Sequence, residues 1–114
     1  MASRRAAQAA RLAIRVPSAR TLARYGITPE QWLALLEAQD WRCPICTRRH
    51  TNWNTDHEHV PGWKHMPAEQ RARYVRGVLC VRCNWKLVQS RMPAALAQRI
   101  ADYLAAYEAR RDAT

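Results

Sequence analysis

Apolar positions recur with helical spacing in two stretches of the chain. In residues 28–40, Trp32, Leu35 and Leu36 fall on one face at spacings of three and four. That stretch has a marked start: Thr28 suits an N-cap, Pro29 the first helical position, and Gln31 completes a capping-box pattern. The pattern predicts a helix laid against the core. The second stripe, Leu96, Ile100, Tyr103, Leu104 and Tyr107, follows Pro93 and predicts a last helix to about residue 109, its stripe serving the core or a subunit contact. Pro17 limits any earlier helix to a short one within residues 3–15. Strand character appears in the short polar run 52–57, and in 73–79, which carries Tyr74, Val75 and Val78. Residues 60–72, with Pro61, Gly62 and Pro67, read as a loop, and a helix is expected from Asn84 to about residue 90.

Composition adds a constraint. The chain has 114 residues, no Phe, and 48% hydrophobic residues, many of them Ala. One domain of this size has a marginal core unless something staples it. Its cysteines, Cys43, Cys46, Cys80 and Cys83, form two Cys-x-x-Cys pairs. Two such knuckles suit one tetrahedral metal, because each presents two thiolates to the same ion. Two disulfides would require a secretory context, and no apolar signal segment is seen; a redox site needs one pair rather than two. Structural Zn²⁺ in a reducing cytosol is therefore expected, and the ion adds folding free energy directly.

Charge narrows the partner. The formal net charge is +10, and 17 of the 19 basic residues are Arg. The guanidinium fork matches phosphate and guanine edges, so the bias points to nucleic acid more than to an anionic membrane. No run of 18 apolar residues supports a transmembrane helix. Residues 1–24 hold six Arg and no acid. A transit peptide, a solvated helical face and an arm along a phosphate backbone all fit that composition; the arm agrees best with the charge of the whole chain.

The segment between the knuckles carries the chemistry. A plain zinc ribbon has about 15–20 residues there, whereas 33 separate Cys46 from Cys80. Within them lies Asp56-His57-Glu58-His59, with Arg76-Gly77 before the second knuckle and Asn84 directly after Cys83. Plainer readings stand beside each: solvated or zinc-binding histidines, Asn84 as a helix cap, Arg76 as one more solvated cation. Trp53, Trp63 and Trp85 can stack on bases or pack, and packing is preferred for Trp85.

These motifs together resemble the recombination endonuclease VII family of phage nucleases, a branch of the HNH or ββα-metal nucleases. The resemblance runs through Tyr25-Gly26-Ile27-Thr28, the first knuckle, Asp56-His57-Glu58-His59, and Arg76-Gly77-Val78-Leu79-Cys80-Val81-Arg82-Cys83-Asn84, covering roughly residues 24–92. It implies a β-hairpin followed by a helix with zinc at the base of the module. It also implies hydrolysis of DNA phosphodiesters with one divalent metal, Mg²⁺ or in its place Mn²⁺. Under it His57 is the general base, Asp56 and Asn84 are ligands of the catalytic metal, and His59 touches the phosphate or orients its neighbours. The chemistry agrees: neutral imidazole takes a proton from water near neutral pH, and Mg²⁺ prefers oxygen ligands. Because neighbours along a strand face opposite ways, Asp56 and His57 can share a site only if the strand ends or bends there.

Two departures from the family pattern stand out. Residues 60–75 form a longer connection than usual, carrying Trp63, Lys64, His65, Arg71 and Arg73. Three residues after Asn84, where the family can carry an acid, stands Leu87. The expectation is an α+β fold: a small zinc-stapled ββα-metal (HNH) module over residues 25–92, with a basic N-terminal arm (1–24) and a C-terminal amphipathic helix and tail (93–114). The expected activity is that of a metal-dependent DNA endonuclease, on branched or nicked DNA among other substrates, with Arg71, Arg73, Arg76 and Arg82 contacting the nucleic acid. A homodimer and a cytoplasmic location in a bacterial host, phage-encoded or not, accompany it. The alternatives are a non-catalytic zinc-dependent nucleic-acid-binding module and a protein-interaction module built on the last helix.

Overall fold

The computed structural model describes residues 3–88 and 91–113. In chain order its elements are α1 (Arg4–Arg11), α2 (Ala19–Ala23), α3 (Pro29–Ala38), β1 (Trp53–His57), a 3-10 turn (Trp63–His65), α4 (Ala68–Ala72), β2 (Val75–Cys80), a π-helix (Cys83–Val88) and α5 (Ala94–Asp112). The fold is α+β, with a two-stranded antiparallel sheet as its only sheet among the described residues.

α3 begins as the sequence predicts. The Gln31 amide donates to Thr28 Oγ1 at 3.1 Å, and the Thr28 amide donates to Gln31 Oε1 at 2.8 Å. Two backbone donors that the helix cannot satisfy are thus paired reciprocally. Trp32, Leu33 and Leu36 are buried, in one cluster with Val78, Leu79 and the cysteines. Trp32 also donates its indole N–H to Thr55 Oγ1 at 3.1 Å, tying the helix to β1. Gln39, just past α3, holds β2 from the side: its amide accepts from Val78 N at 3.0 Å and donates to Val78 O at 2.8 Å. Buried backbone groups of a two-stranded sheet need such partners.

The N-terminal segment, expected as an arm, contributes to the core. Ala9, Ile14 and Leu22 are buried. Ser3 caps α1 by accepting from Ala6 N at 3.0 Å. Arg5 pairs with Glu37 at 3.0 Å and Glu30 at 3.1 Å, and Arg4 also pairs with Glu37. Two of its six arginines are thereby turned toward α3 rather than toward a ligand.

Three local expectations change. The 60–72 segment is not one irregular loop, because Pro67, which needs no N–H, initiates α4 after the 3-10 turn. The helix after the second knuckle is a π-helix as far as Val88; its expected end near residue 90 lies outside the described residues. α5 forms, but its stripe does not enter the core: Leu96, Ile100, Tyr103, Leu104 and Tyr107 are all exposed. No helix among the described residues is long and apolar enough to cross a membrane.

The strand register sets up the site. Asp56 pairs with Gly77 and His57 with Val75, so Arg76 is the extra residue of a bulge. A bulge bends the strand and re-aims its side chains.

Candidate active site and metal centre

The ligand atoms of Cys43, Cys46, Cys80 and Cys83 all lie within 4.8 Å of one another. Cys43 and Cys46 sit on a tight knuckle in which Thr47, at φ 65°, turns the chain and donates its amide to Cys43 O at 2.9 Å. Cys80 ends β2 and Cys83 opens the π-helix, where the Cys83 amide points at Cys80 Sγ, 3.4 Å away. Tetrahedral zinc with bonds of about 2.3 Å puts its sulfurs about 3.8 Å apart, and Cys46 and Cys80 are separated by 3.9 Å. Burial works against charge on Cys43, but backbone N–H groups of Cys80, Cys46 and Ile45 bring its thiol down to about 7. Burial pushes Cys83 up to about 12. Four such thiolates cannot coexist in a buried cluster without a cation among them, and the donor set fits zinc. Neither His57 nor His59 belongs to the cluster. His50 does approach it, with Nε2 3.2 Å from Cys46 Sγ, and its ring stands edge-on to Trp53.

A cleft of about 440 Å³ is lined by Tyr25, Asp56, His57, His59, Asn84 and Trp85. All four residues expected to carry the chemistry meet there. The bulge at Asp56/His57 answers the demand that the strand bend between them. His59 and Trp63 each stack on the His57 ring, at 4.5 Å and 4.2 Å. Two rings that close to one imidazole must take its opposite faces. Tyr25 adds an edge contact at 5.4 Å. The ring plane of His57 is thus fixed and only its edge faces the cleft. Burial lowers the His57 pKa from its ordinary value, with His59 and Arg76 acting in the same direction and Asp56 opposing. A neutral imidazole able to accept a proton results.

Asp56 is 7% exposed. Its Oδ2 accepts from Arg76 Nε at 2.8 Å and its Oδ1 from Arg76 Nη2 at 3.0 Å. Arg76 reaches it from an adjoining recess shared with Gln39 and Val88, not from the His57 cleft. An ionised carboxylate has about four acceptor positions, so two remain for the side on which Asn84 lies. One carboxylate and one amide oxygen in an open cleft suit a hard cation such as Mg²⁺ that keeps several waters.

The four arginines expected on nucleic acid do not form one patch. Arg76 is engaged by Asp56, because the bulge delivers it there. Arg71 is half-buried and donates to Ala23 O at 3.2 Å, bracing α4 against the C-terminal end of α2. Arg73 and Arg82 are exposed, and Arg82 shares a recess with Arg15, His50 and Cys80. Trp85, expected to pack, is 74% exposed at the mouth of the His57 cleft. Leu87 lies in a recess with Cys46, Cys80 and Cys83 and does not line that cleft.

Two residues named in the sequence without a place beside His57 prove to belong to the site. Tyr25 and Trp63 touch His57 and each other, with ring centroids of that pair 5.8 Å apart. Trp63 carried a signal as a candidate stacking residue within the long 60–75 connection, and Tyr25 as the first residue of the Tyr25-Gly26-Ile27-Thr28 run that resembles the family; neither signal pointed to His57.

A family model described as recombination endonuclease VII matches residues 18–106. A Gene 59 protein of Mycobacterium phage D29 is 38% identical over 89 residues, which are 75% of this chain and 47% of that protein. A Gene 59 protein of Mycobacterium phage L5 is 37% identical over 68 residues, 57% of this chain and 35% of that protein. The chain thus spans about half the length, or less, of these curated relatives. No solved structure matches it.

Proposed function

From the premise that the chain belongs to the recombination endonuclease VII family, we propose that it is a DNA endonuclease that hydrolyses phosphodiester bonds with a water activated by His57. The observation that carries this reading is the convergence of Asp56, His57, His59 and Asn84 on one cleft across a strand bulge. His57, neutral and clamped between two rings, takes a proton from water through its exposed ring edge. The water oxygen bonds to phosphorus, one P–O ester bond breaks, and the leaving oxygen takes a proton from solvent. His59 lies beside the reacting phosphate and holds the ring of His57. Asp56 and Asn84 would hold a divalent cation, Mg²⁺ or Mn²⁺. Such an ion, when bound, offsets the charge that develops on the phosphate and the leaving oxygen. The cysteine cluster is a structural zinc centre: its four ligands close the coordination shell and leave no position for substrate.

A second reading, a zinc-dependent nucleic-acid-binding module without cleavage, is favoured by one observation: both Asp56 oxygens are already engaged by Arg76. Matched linear, nicked, supercoiled and four-way-junction DNA, incubated with the zinc-loaded protein and Mg²⁺ or Mn²⁺, separates the two. Nicking that depends on the divalent ion supports the nuclease. Binding without nicking in either metal supports the module.

A further inference from the structure

Beside the His57 cleft lies a second one of about 680 Å³, which shares His57 and His59 with it and is walled by Pro61, Trp63, Lys64 and Arg91. Nothing in the proposed chemistry uses its far end. The indole of Trp63 is held ready: its Nε1 donates to Arg71 O at 3.3 Å, and Arg71 in turn donates to Ala23 O at 3.2 Å. Lys64 and Arg91 are exposed, and among the described residues neither makes an ion pair or a side-chain hydrogen bond. That sets them apart from Arg4, Arg5 and Arg76, whose charges are met by carboxylates. A recess with an indole and a proline in its wall and unpaired cations at its rim matches a flat apolar ring flanked by anions. A stacked base in a duplex cannot present that shape, whereas an unstacked nucleotide can.

We propose that this cleft is a subsite for single-stranded DNA, taking one unstacked nucleotide of the strand whose phosphate lies in the His57 cleft. Its base rests on the part of Trp63 and Pro61 left open by His57, and the phosphates on either side meet Lys64 and Arg91. The location rests on the nuclease reading, through the shared His57 and His59; the binding does not depend on cleavage.

The test measures binding of fluorescein-labelled oligothymidine and of a duplex of equal length by anisotropy. It uses the zinc-loaded protein with His57 in place, without added Mg²⁺ or Mn²⁺ so that cleavage is silent, over a range of salt. Lys64→Ala with Arg91→Ala, both surface changes, should weaken oligothymidine binding about tenfold and affect the duplex less. It should also lower the salt slope for the single strand by about 1.4, at about 0.7 per phosphate contact. Trp63→Tyr keeps an aromatic surface and should retain the affinity within a few-fold while reducing the tryptophan quenching that oligothymidine causes; quenching left unchanged by it would overturn stacking on Trp63. Unchanged single-strand affinity and slope in the double variant would overturn the proposal. Equal losses on duplex and single strand would also overturn it, since they would mark general phosphate contacts. Cleavage by the unsubstituted chain is measured separately, so a failed nuclease reading and a failed subsite give different results.

Discussion

Arg76 grips Asp56 with two parallel hydrogen bonds, 2.8 Å and 3.0 Å long, across the bulge where β1 changes register against β2. The pair neutralises a buried carboxylate and fixes its orientation at the edge of the His57 cleft. Arg76→Ala leaves that carboxylate without its partner. Because Arg76 is itself partly exposed, the expected cost is at the level of an unsatisfied buried acceptor, about 1–3 kcal/mol, read from urea denaturation. Arg76→Lys should recover only part of it, since a point charge does not replace a planar fork.

Removal of zinc should unfold the chain. The core is small, and Cys43, Cys80 and Cys83 are themselves among its buried residues. Structural zinc contributes about 10–16 kcal/mol in small modules. Chelation followed by far-ultraviolet circular dichroism should show loss of helix signal, restored by added Zn²⁺. A helix signal that survives complete zinc removal would show that the apolar cluster suffices alone.

The docking of α1 carries a pH signature. Hydrogen bonds from Arg4 and then Arg5 bring the Glu37 pKa down from 4.5 to about 2. A depressed carboxylate stabilises the folded chain above its unfolded pKa, and that stabilisation is lost as pH falls through the folded value. The wild-type chain should therefore melt above Glu37→Gln near neutral pH, and the difference should close between about 4.5 and 2. Added salt should shrink it as well, because the pairs are solvent-exposed.

Gly26 is required where it stands. Its φ is +76°, and a Cβ there would lie 2.0 Å from the Ala68 carbonyl oxygen. Gly26→Ala must push α4 away, and α4 holds Trp63 through the Arg71 carbonyl. Backbone strain of this kind costs about 1–3 kcal/mol. A lowered melting temperature with unchanged zinc content is expected, together with slower cleavage, because the ring stacked on His57 shifts.

Much of this arrangement was legible in the residues. The α3 start was visible because capping chemistry is local, and the four-cysteine cluster because paired knuckles leave little choice of geometry. The demand for a bend between Asp56 and His57 followed from strand alternation, and the bulge meets it. What stayed hidden depended on contacts between distant segments. Arg76 and Arg71 looked available because their partners, Asp56 and the Ala23 carbonyl, lie 20 and 48 residues away. The N-terminal arginines suggested a free arm, since nothing local showed that Glu30 and Glu37 would face them. Trp85 suggested packing by residue type alone, yet the π-helix places it at the cleft mouth.

The most direct measurement is the cleavage rate of His57→Ala on plasmid DNA with Mg²⁺, alongside its circular dichroism, zinc content and DNA affinity. Loss of a general base costs a factor of about 10²–10⁴. The expected result is a drop of that size with fold, zinc and binding near those of the wild type. Cleavage by the pure variant at the wild-type rate would contradict the role of His57 and the mechanism built on it.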